Sequence, residues 1–242
     1  MRLGSGGFVV DRRFCGPPRS GNGGYVSGRL AGFLADMGAV EVTLRSPPPL
    51  DVRLEIFSAD DDGLLLRNGE TLIAQAKPGV LTSEVPEPVD FPTAVDAAAR
   101  YAGLRDHPFP TCFVCGLDRS AGDGMRLQPG SIGSGRVAAA WAPDQSLASD
   151  GGLASQFVWA ALDCPGGWAT NLSGRPMVLG RMTASVVGVP ELGQPCVVVG
   201  QLRGLDGRKA FTSSALFSAD GELLARAEAT WLEIDPAAVV PK

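Results

Sequence analysis

The sequence predicts an α+β fold made of two similar halves, each a long buried helix followed by antiparallel strands. The first observation is an internal repeat, in which a Gly-Gly turn opens an apolar helical segment at Gly23 and again at Gly151. Both segments are apolar on nearly every side, which is typical of a helix buried all round. The second observation is that a series of strand-like segments follows each helix.

These strand-like segments form the same series in both halves, and each series contains a hairpin turn, Asn68-Gly69 in the first and Asp220-Gly221 in the second. The predicted strands are 41–45, 52–57, 64–67, 71–76, 178–187, 196–203, 209–217 and 222–233. A sheet that curls around each helix would bury the helix and leave the outer face of the sheet polar. Pairing of the two sheets would leave neither half with a long exposed edge.

Three segments follow from this pattern: an N-terminal unit at 1–84, a linker at 85–110 and a C-terminal unit at 111–242. The linker begins rich in proline and then offers a helical stretch at 93–104, with Thr93 as its predicted N-cap.

The composition excludes some classes of function. The net charge is -5, and no cluster of Lys and Arg is present, which argues against nucleic-acid binding. No apolar run reaches the roughly 18 residues of a membrane span, and no signal peptide is evident, so we expect a cytoplasmic protein. Charged residues make up only 19% of the chain, which favours a surface covered by a second copy, in a homodimer or a larger homo-oligomer.

The Cys112-Phe113-Val114-Cys115 motif has spacing that can bind zinc. A structural zinc site needs about four ligands, and the sequence holds neither a second such motif nor a pair of histidines. Cys164 lies far along the chain in an unrelated context. We therefore expect a buried structural pair of cysteines and no metal.

Several motifs resemble the hotdog-fold thioesterase superfamily. The Cys112–Gly116 motif, followed by 122–127, looks like the opening strand region of some members. The segment 162–169, Leu-Asp-Cys-Pro-Gly-Gly-Trp-Ala, is similar to their helix, and the turn at 21–24 looks like the N-terminal unit of double-hotdog acyl-CoA thioesterases. The resemblance implies a tandem double hotdog that acts on acyl-CoA thioesters. It implies no cofactor, since coenzyme A would enter only as part of the substrate.

The resemblance places the catalytic acid of such enzymes at Asp163, as general base toward water or as nucleophile. Asp163 follows an apolar run, so burial would raise its pKa. Because an isolated buried carboxylate destabilises the fold, we expect Asp163 to have hydrogen-bond partners or a function. In the alternative interpretation, Asp163 lies at the C-terminal end of the helix, where Pro165-Gly166 end or kink it, and bonds only to backbone or water.

An oxyanion site would come from main-chain amides at a helix N-terminus. The candidates are Asn22, Gly23, Gly24, Gly151, Gly152, Ser155 and Gln156. The family often has a His before the two glycines, which this chain lacks at both turns. One possibility is that the second helix begins later, with Ser155 as N-cap. We also expect the turn that starts at Asn22 to help build the pocket around Asp163. The resemblance implies that Thr183 positions water, and the alternative is that Thr183 is an ordinary strand residue.

The resemblance therefore implies an acyl-CoA thioesterase whose partner is a small-molecule acyl thioester. The alternative is a non-catalytic hotdog protein that binds acyl-CoA or an acyl carrier. A dehydratase is disfavoured because that chemistry usually needs a catalytic His, and His107, the single His of the chain, precedes Pro108 in the linker.

Overall fold

The structure is a computed structural model that describes residues 3–60, 62–149 and 152–235. Its helices are α1 (Gly23–Ala31), α2 (Phe91–Ala97) and α3 (Ser155–Trp168). Its strands are β1 (Leu3–Val9), β2 (Val40–Leu44), β3 (Arg53–Ser58), β4 (Leu64–Asn68), β5 (Thr71–Pro78), β6 (Gly130–Gly133), β7 (Arg136–Trp141), β8 (Ala148–Ser149), β9 (Gly152–Leu153), β10 (Met177–Val186), β11 (Cys196–Asp206), β12 (Lys209–Ser218) and β13 (Leu223–Glu233).

Eleven strands form one antiparallel sheet in the order β1-β3-β4-β5-β2-β10-β13-β12-β11-β7-β6. The strand that follows α1 and the strand that follows α3, β2 and β10, pair at the centre with Arg181 opposite Thr43. The order of the first five strands recurs in reverse in the next five. The two sheets therefore join into one, as the sequence predicted.

All eight predicted strands are present, with ends that differ by at most a few residues. The sequence missed five strands, β1 and β6–β9. Strand β1 is rich in glycine, and β7 contains three consecutive alanines, which favour helix in isolation. Pairing with β3 and β11 overrides these local preferences. The expectation of an opening strand region at Cys112–Leu127 is wrong. That segment forms turns, and strand structure begins only at Gly130.

Helix α1 is shorter than expected, nine residues, and a six-residue 3-10 helix (Gly32–Met37) follows it. Helix α3 starts at Ser155 with Ala154 as its N-cap, so the prediction of Ser155 as the N-cap is wrong. Pro165 lies inside α3, which continues to Trp168. Asp163 therefore lies in the helix interior, and the interpretation that places it at the C-terminal end is wrong. Packing of the last turns against the sheet keeps this segment helical despite the proline.

Helices α1 and α3 pack so closely that glycine is needed where they touch. A Cβ added at Gly28 would lie 2.7 Å from both Gln156 Cα and Trp159 Cβ. A Cβ added at Gly24 would lie 2.5 Å from Asp163 Cβ. These contacts place the N-terminus of α1 beside the middle of α3.

The linker covers the outer face of the second half of the sheet. Helix α2 is capped by Asp90, whose carboxylate accepts from Thr93 N at 2.8 Å, so Thr93 is not the N-cap. Ala94 and Ala97 of α2 belong to a second apolar cluster with outer-face residues of the sheet: Ala138, Val197, Val199, Ala215 and Phe217. The expectation of a polar outer face is therefore wrong here. Among the described residues, no helix is both long enough and apolar enough to cross a membrane.

We predict that Gly28→Ala lowers the free energy of unfolding by about 2–3 kcal/mol, because the added methyl group must push α1 away from α3. Gly32→Ala is the matched control, since a Cβ there would meet nothing within 4 Å. Urea unfolding of both variants tests the prediction. Equal stabilities would contradict the close helix contact.

Candidate active site

A cavity of about 250 Å³ lies between the N-terminal turn of α1, the middle of α3, and strands β10 and β13. Its wall combines residues from both halves of the chain and is mainly apolar. The polar and thiol side chains that line it belong to Ser20, Asn22, Arg45, Ser46, His107, Cys112, Cys115, Asp163 and Cys164.

Asp163 is 3% exposed and lies at the wall of this cavity. Its Oδ2 accepts hydrogen bonds from Gly24 N at 2.9 Å and from Asn22 Nδ2 at 3.0 Å. Its Oδ1 has no hydrogen-bond partner in the part of the chain that the structure describes. One carboxylate oxygen is therefore fixed by the first half of the chain, and the other is buried without a hydrogen-bond partner among the described residues.

Burial raises the pKa of Asp163 to about 7, because desolvation penalises its charged form. The Gly24 N–H lowers this pKa, a negative charge on Cys112 raises it, and the Asn22 amide lowers it. Near neutral pH the carboxyl group is thus poised between its two protonation states, which suits a group that takes up and returns a proton.

Asn22 connects the N-terminus of α1 to the rest of the site. It is the N-cap, and its Oδ1 accepts from Tyr25 N at 2.9 Å while its Nδ2 donates to Asp163. The N–H of Gly23, the first residue of α1, makes no hydrogen bond to any described residue, as is common in the first turn of a helix. Gly23 lines the cavity, so its N–H is a candidate donor to a ligand there.

Three cysteines meet beside Asp163. The Sγ atoms of Cys112, Cys115 and Cys164 lie within 4.8 Å of one another, and those of Cys112 and Cys164 are 3.8 Å apart. The expectation that Cys164 lies in an unrelated context is therefore wrong. The pKa of Cys112 is lowered well below its usual value because the other two thiols hydrogen-bond to its thiolate. The pKa values of Cys115 and Cys164 are raised.

His107 also lines the cavity, although the sequence placed it in the linker. Its Nδ1 accepts from Phe109 N at 3.0 Å, and its Nε2 lies 3.1 Å from Cys115 O, so the proton belongs on Nε2. Burial lowers its pKa, which keeps the ring neutral. Both nitrogens are engaged. Its closeness in sequence to Cys112 was the signal that could have placed it here.

The structure brings together Asp163, Asn22, Gly23 and Gly24 and leaves the other candidates elsewhere. Gly152, Ser155 and Gln156 do not line the cavity. Asp163 lies eight residues after Ser155, which is about 12 Å along the helix axis. The expectation that the N-terminus of α3 supplies the oxyanion donors is therefore wrong, because the N-terminus of α1 occupies that place. Gly151 lies outside the described residues.

Thr183 is also remote from the cavity. It is buried in β10 between Glu41 of β2 and Glu228 of β13, and its methyl group packs against Gly79, which directly follows β5. It lies on the face of the sheet that the linker covers, so the expectation that it positions water at Asp163 is wrong. Its hydroxyl group belongs to the packing of the sheet.

An arginine at the cavity could bind the phosphate groups of coenzyme A, and Arg45, Arg175 and Arg181 differ in whether they line it. Arg45 is exposed, bonds to Gln75 and lines the cavity. Arg175 pairs with Glu233 at 2.7 Å, and Arg181 bonds to Thr43 Oγ1 at 3.1 Å. Arg45 is therefore the cation that stands beside the site.

The comparison with solved structures identifies the fold. The chain is similar to the tesB protein of Mycobacterium avium subsp. paratuberculosis, with 16% identity, a TM-score of 0.61, and coverage of 97% of this chain and 96% of that one. It is also similar to a hotdog-fold protein of unknown function from Alicyclobacillus acidocaldarius, with 13% identity, a TM-score of 0.62, and coverage of 95% and 93%. The chain has the hotdog fold.

A third similar structure is a provisionally designated thioesterase from Novosphingobium aromaticivorans, with 14% identity, a TM-score of 0.63 and 95% coverage of both chains. No protein-family model matches the sequence, and no curated protein matches it. The chain is therefore similar to these known proteins in its backbone fold rather than in its sequence.

We predict that wild-type stability falls relative to that of Asp163→Asn as the pH rises from about 4 to about 7. The pKa of Asp163 is higher in the native state than in the unfolded state. Between about pH 4 and pH 7, the carboxyl group is therefore protonated in the native state and ionised in the unfolded state. Wild-type stability should therefore fall across this range, relative to the variant, by on the order of 3 kcal/mol. Urea unfolding from about pH 4.5 to pH 8, with reductant and chelator to keep the thiols of Cys112 and Cys164 free, measures the difference. Parallel curves would contradict the raised pKa.

Proposed function

We propose that the protein hydrolyses an acyl thioester, with coenzyme A as the carrier of the acyl group and Asp163 as the general base. The observation that carries this proposal is a buried carboxylate at the wall of an apolar cavity. One of its oxygens has no hydrogen-bond partner among the described residues, and it lies beside the first turn of α1, where Gly23 N makes no hydrogen bond to a described residue. The names of two similar hotdog structures, a tesB protein and a provisionally designated thioesterase, support it.

The chemistry follows from the positions of the two groups. Asp163 Oδ1 takes a proton from a water molecule as the water oxygen bonds to the thioester carbonyl carbon. The carbonyl oxygen becomes negative and is stabilised by the Gly23 N–H and the positive end of the α1 dipole. The intermediate then breaks its C–S bond, and the leaving sulfur takes the proton from Asp163. The same carboxylate could instead attack the carbonyl carbon directly and form an anhydride that water then hydrolyses.

The size of the cavity suggests the class of acyl group. A cavity of about 250 Å³ suits a short or medium acyl chain or an aryl group. The mainly apolar wall suits such a group. Arg45, which is exposed beside the cavity, is placed to meet a charged part of the carrier outside it.

We further propose that the fold is a tandem double hotdog, with units at 1–84 and 111–242 joined by a linker at 85–110, and that the protein forms a homodimer or a larger homo-oligomer. The reversed repeat of strand order across the β2–β10 pair supports the duplication. In this arrangement the second unit supplies the acid, and the first supplies the helix N-terminus that faces it.

A second candidate function is non-catalytic binding of an acyl thioester. One observation favours it: Asp163 Oδ2 bonds to Gly24 N and Asn22 Nδ2, so the carboxylate also serves to hold α1 against α3. In that case the cavity would retain its ligand without turnover.

We predict that Asp163→Asn lowers kcat for hydrolysis of acyl-CoA by about 100-fold or more, since the variant cannot accept a proton. Its binding of a non-hydrolysable acyl-CoA analogue should change little, because the amide oxygen can still accept from Gly24 N. Thr183→Val is the matched control, a buried site away from the cavity, and should retain activity. A wild-type protein that binds the analogue but hydrolyses no member of a broad acyl-CoA panel would establish the binder instead.

We predict that Leu172→Phe shifts the substrate preference toward shorter acyl groups, because Leu172 is buried and lines the cavity. The measurement is kcat/KM across straight-chain acyl-CoA substrates from acetyl to palmitoyl. Leu205→Phe, at an exposed position on β11, is the control and should leave the preference unchanged. An unchanged profile in Leu172→Phe would show that the acyl group lies elsewhere.

A further inference from the structure

Three thiols converge from two distant parts of the chain. Cys112 and Cys115 belong to the turn segment after the linker, whereas Cys164 lies on α3, 52 residues beyond Cys112. All three are buried, and their Sγ atoms lie within 4.8 Å of one another. The sequence showed only the first two as a pair.

The spacing of the sulfur atoms suits a tetrahedral zinc ion. With Zn–S bonds of about 2.3 Å, two sulfur ligands of a tetrahedral site are about 3.8 Å apart. The Cys112 and Cys164 Sγ atoms are separated by 3.8 Å before any ion is considered. Thus only small side-chain adjustments would bring all three sulfur atoms to one ion.

The turn that carries the first two ligands is held in one geometry. Gly116 N donates to Cys112 O at 2.8 Å. A Cβ added at Gly116 would lie 2.4 Å from Pro110 O and 2.5 Å from Cys112 O, so the turn requires glycine there. A fixed turn keeps both sulfur atoms on the same side and lowers the ordering cost of binding an ion.

Hydrogen-bond donors surround the sulfur atoms. Asn22 Nδ2 lies 4.0 Å from the Sγ atoms of both Cys112 and Cys164. Trp168 is 4% exposed and its indole N–H has no hydrogen-bond partner among the described residues, while its proximity favours the thiolate of Cys115. Such donors are the outer-shell partners that stabilise thiolate ligands of a metal.

We propose that Cys112, Cys115 and Cys164 bind one Zn²⁺ ion as thiolates, with the fourth coordination position facing the cavity. This reverses the expectation from sequence that the chain holds no metal site. Three soft thiolates select a thiophilic ion rather than Mg²⁺ or Ca²⁺. The ion displaces the thiol protons, which leave to solvent.

The fourth ligand comes from the cavity. Both nitrogens of His107 are engaged with the backbone, and the carboxylate of Asp163 does not belong to the group of ligand atoms within 4.8 Å of one another. A water molecule, or an atom of a bound ligand, therefore completes the site. An ion here would tie the Cys112–Cys115 turn to α3 beside Asp163. This inference is independent of the proposed hydrolysis, since binding is measured without substrate.

The experiment is a titration of chelator-treated, reduced protein with Zn²⁺ in competition with a chromophoric chelator, and in parallel with Co²⁺. We expect one equivalent of Zn²⁺ per chain, and with Co²⁺ a thiolate-to-metal charge-transfer band together with the strong visible bands of tetrahedral coordination. Cys112→Ser, Cys115→Ser and Cys164→Ser should each lose the charge-transfer intensity of one thiolate and weaken Zn²⁺ binding at least tenfold. Cys196→Ser, at a buried cysteine of β11 outside the cluster, should bind as the wild type does.

A second measurement keeps the test decisive if a serine variant folds poorly. Alkylation of native wild-type protein, followed by mass spectrometry, should label Cys112, Cys115 and Cys164 several-fold more slowly with Zn²⁺ present, with Cys15 and Cys196 unaffected. The proposal is overturned if the wild type takes up no stoichiometric Zn²⁺ or prefers Cu⁺ alone. It is equally overturned if the variants bind as the wild type does or if Zn²⁺ protects none of the three thiols.

Discussion

The hydrogen bonds between Asp163 and the N-terminus of α1 are the interaction on which the arrangement of the site depends. They join Asp163, in the second half of the chain, to the first turn of helix α1, in the first half. Gly24 and Asp163 are 139 residues apart in sequence. A buried carboxylate is tolerated there because two donors meet one of its oxygens and the helix dipole favours negative charge. Its other oxygen stays unpartnered among the described residues, which is costly for a purely structural group and useful for a reactive one.

Close packing of the two helices makes this interaction possible. Gly24 and Gly28 let α1 approach α3 to a distance at which a main-chain N–H can reach a side chain of the other helix. The same contact points the N-terminus of α1, rather than that of α3, at the cavity. The chain thus assigns different roles to its two similar helices: one supplies the acid, and the other supplies the donors.

The linker helix and the cysteines have positions in the fold that local sequence patterns did not predict. Helix α2 covers apolar residues on the outer face of the second half of the sheet, which in an open sheet would meet water. The turn at Cys112–Cys115, which begins just after the linker, brings two thiols to the third on α3. In both cases a segment that precedes the strands of the second half packs against that half.

The sequence by itself determined the repeat and the eight main strands, because hydrophobic period and hairpin turns are local signals. It also predicted the joining of the two sheets, and the family resemblance singled out Asp163. It also predicted that the turn at Asn22 meets Asp163. The tertiary structure alone decided which helix N-terminus faces the acid, that Thr183, Ser155 and Gln156 lie elsewhere, and that Cys164 joins Cys112. These facts depend on the direction in which two helices cross and on contacts between residues far apart in the chain, and neither leaves a periodic trace in the sequence.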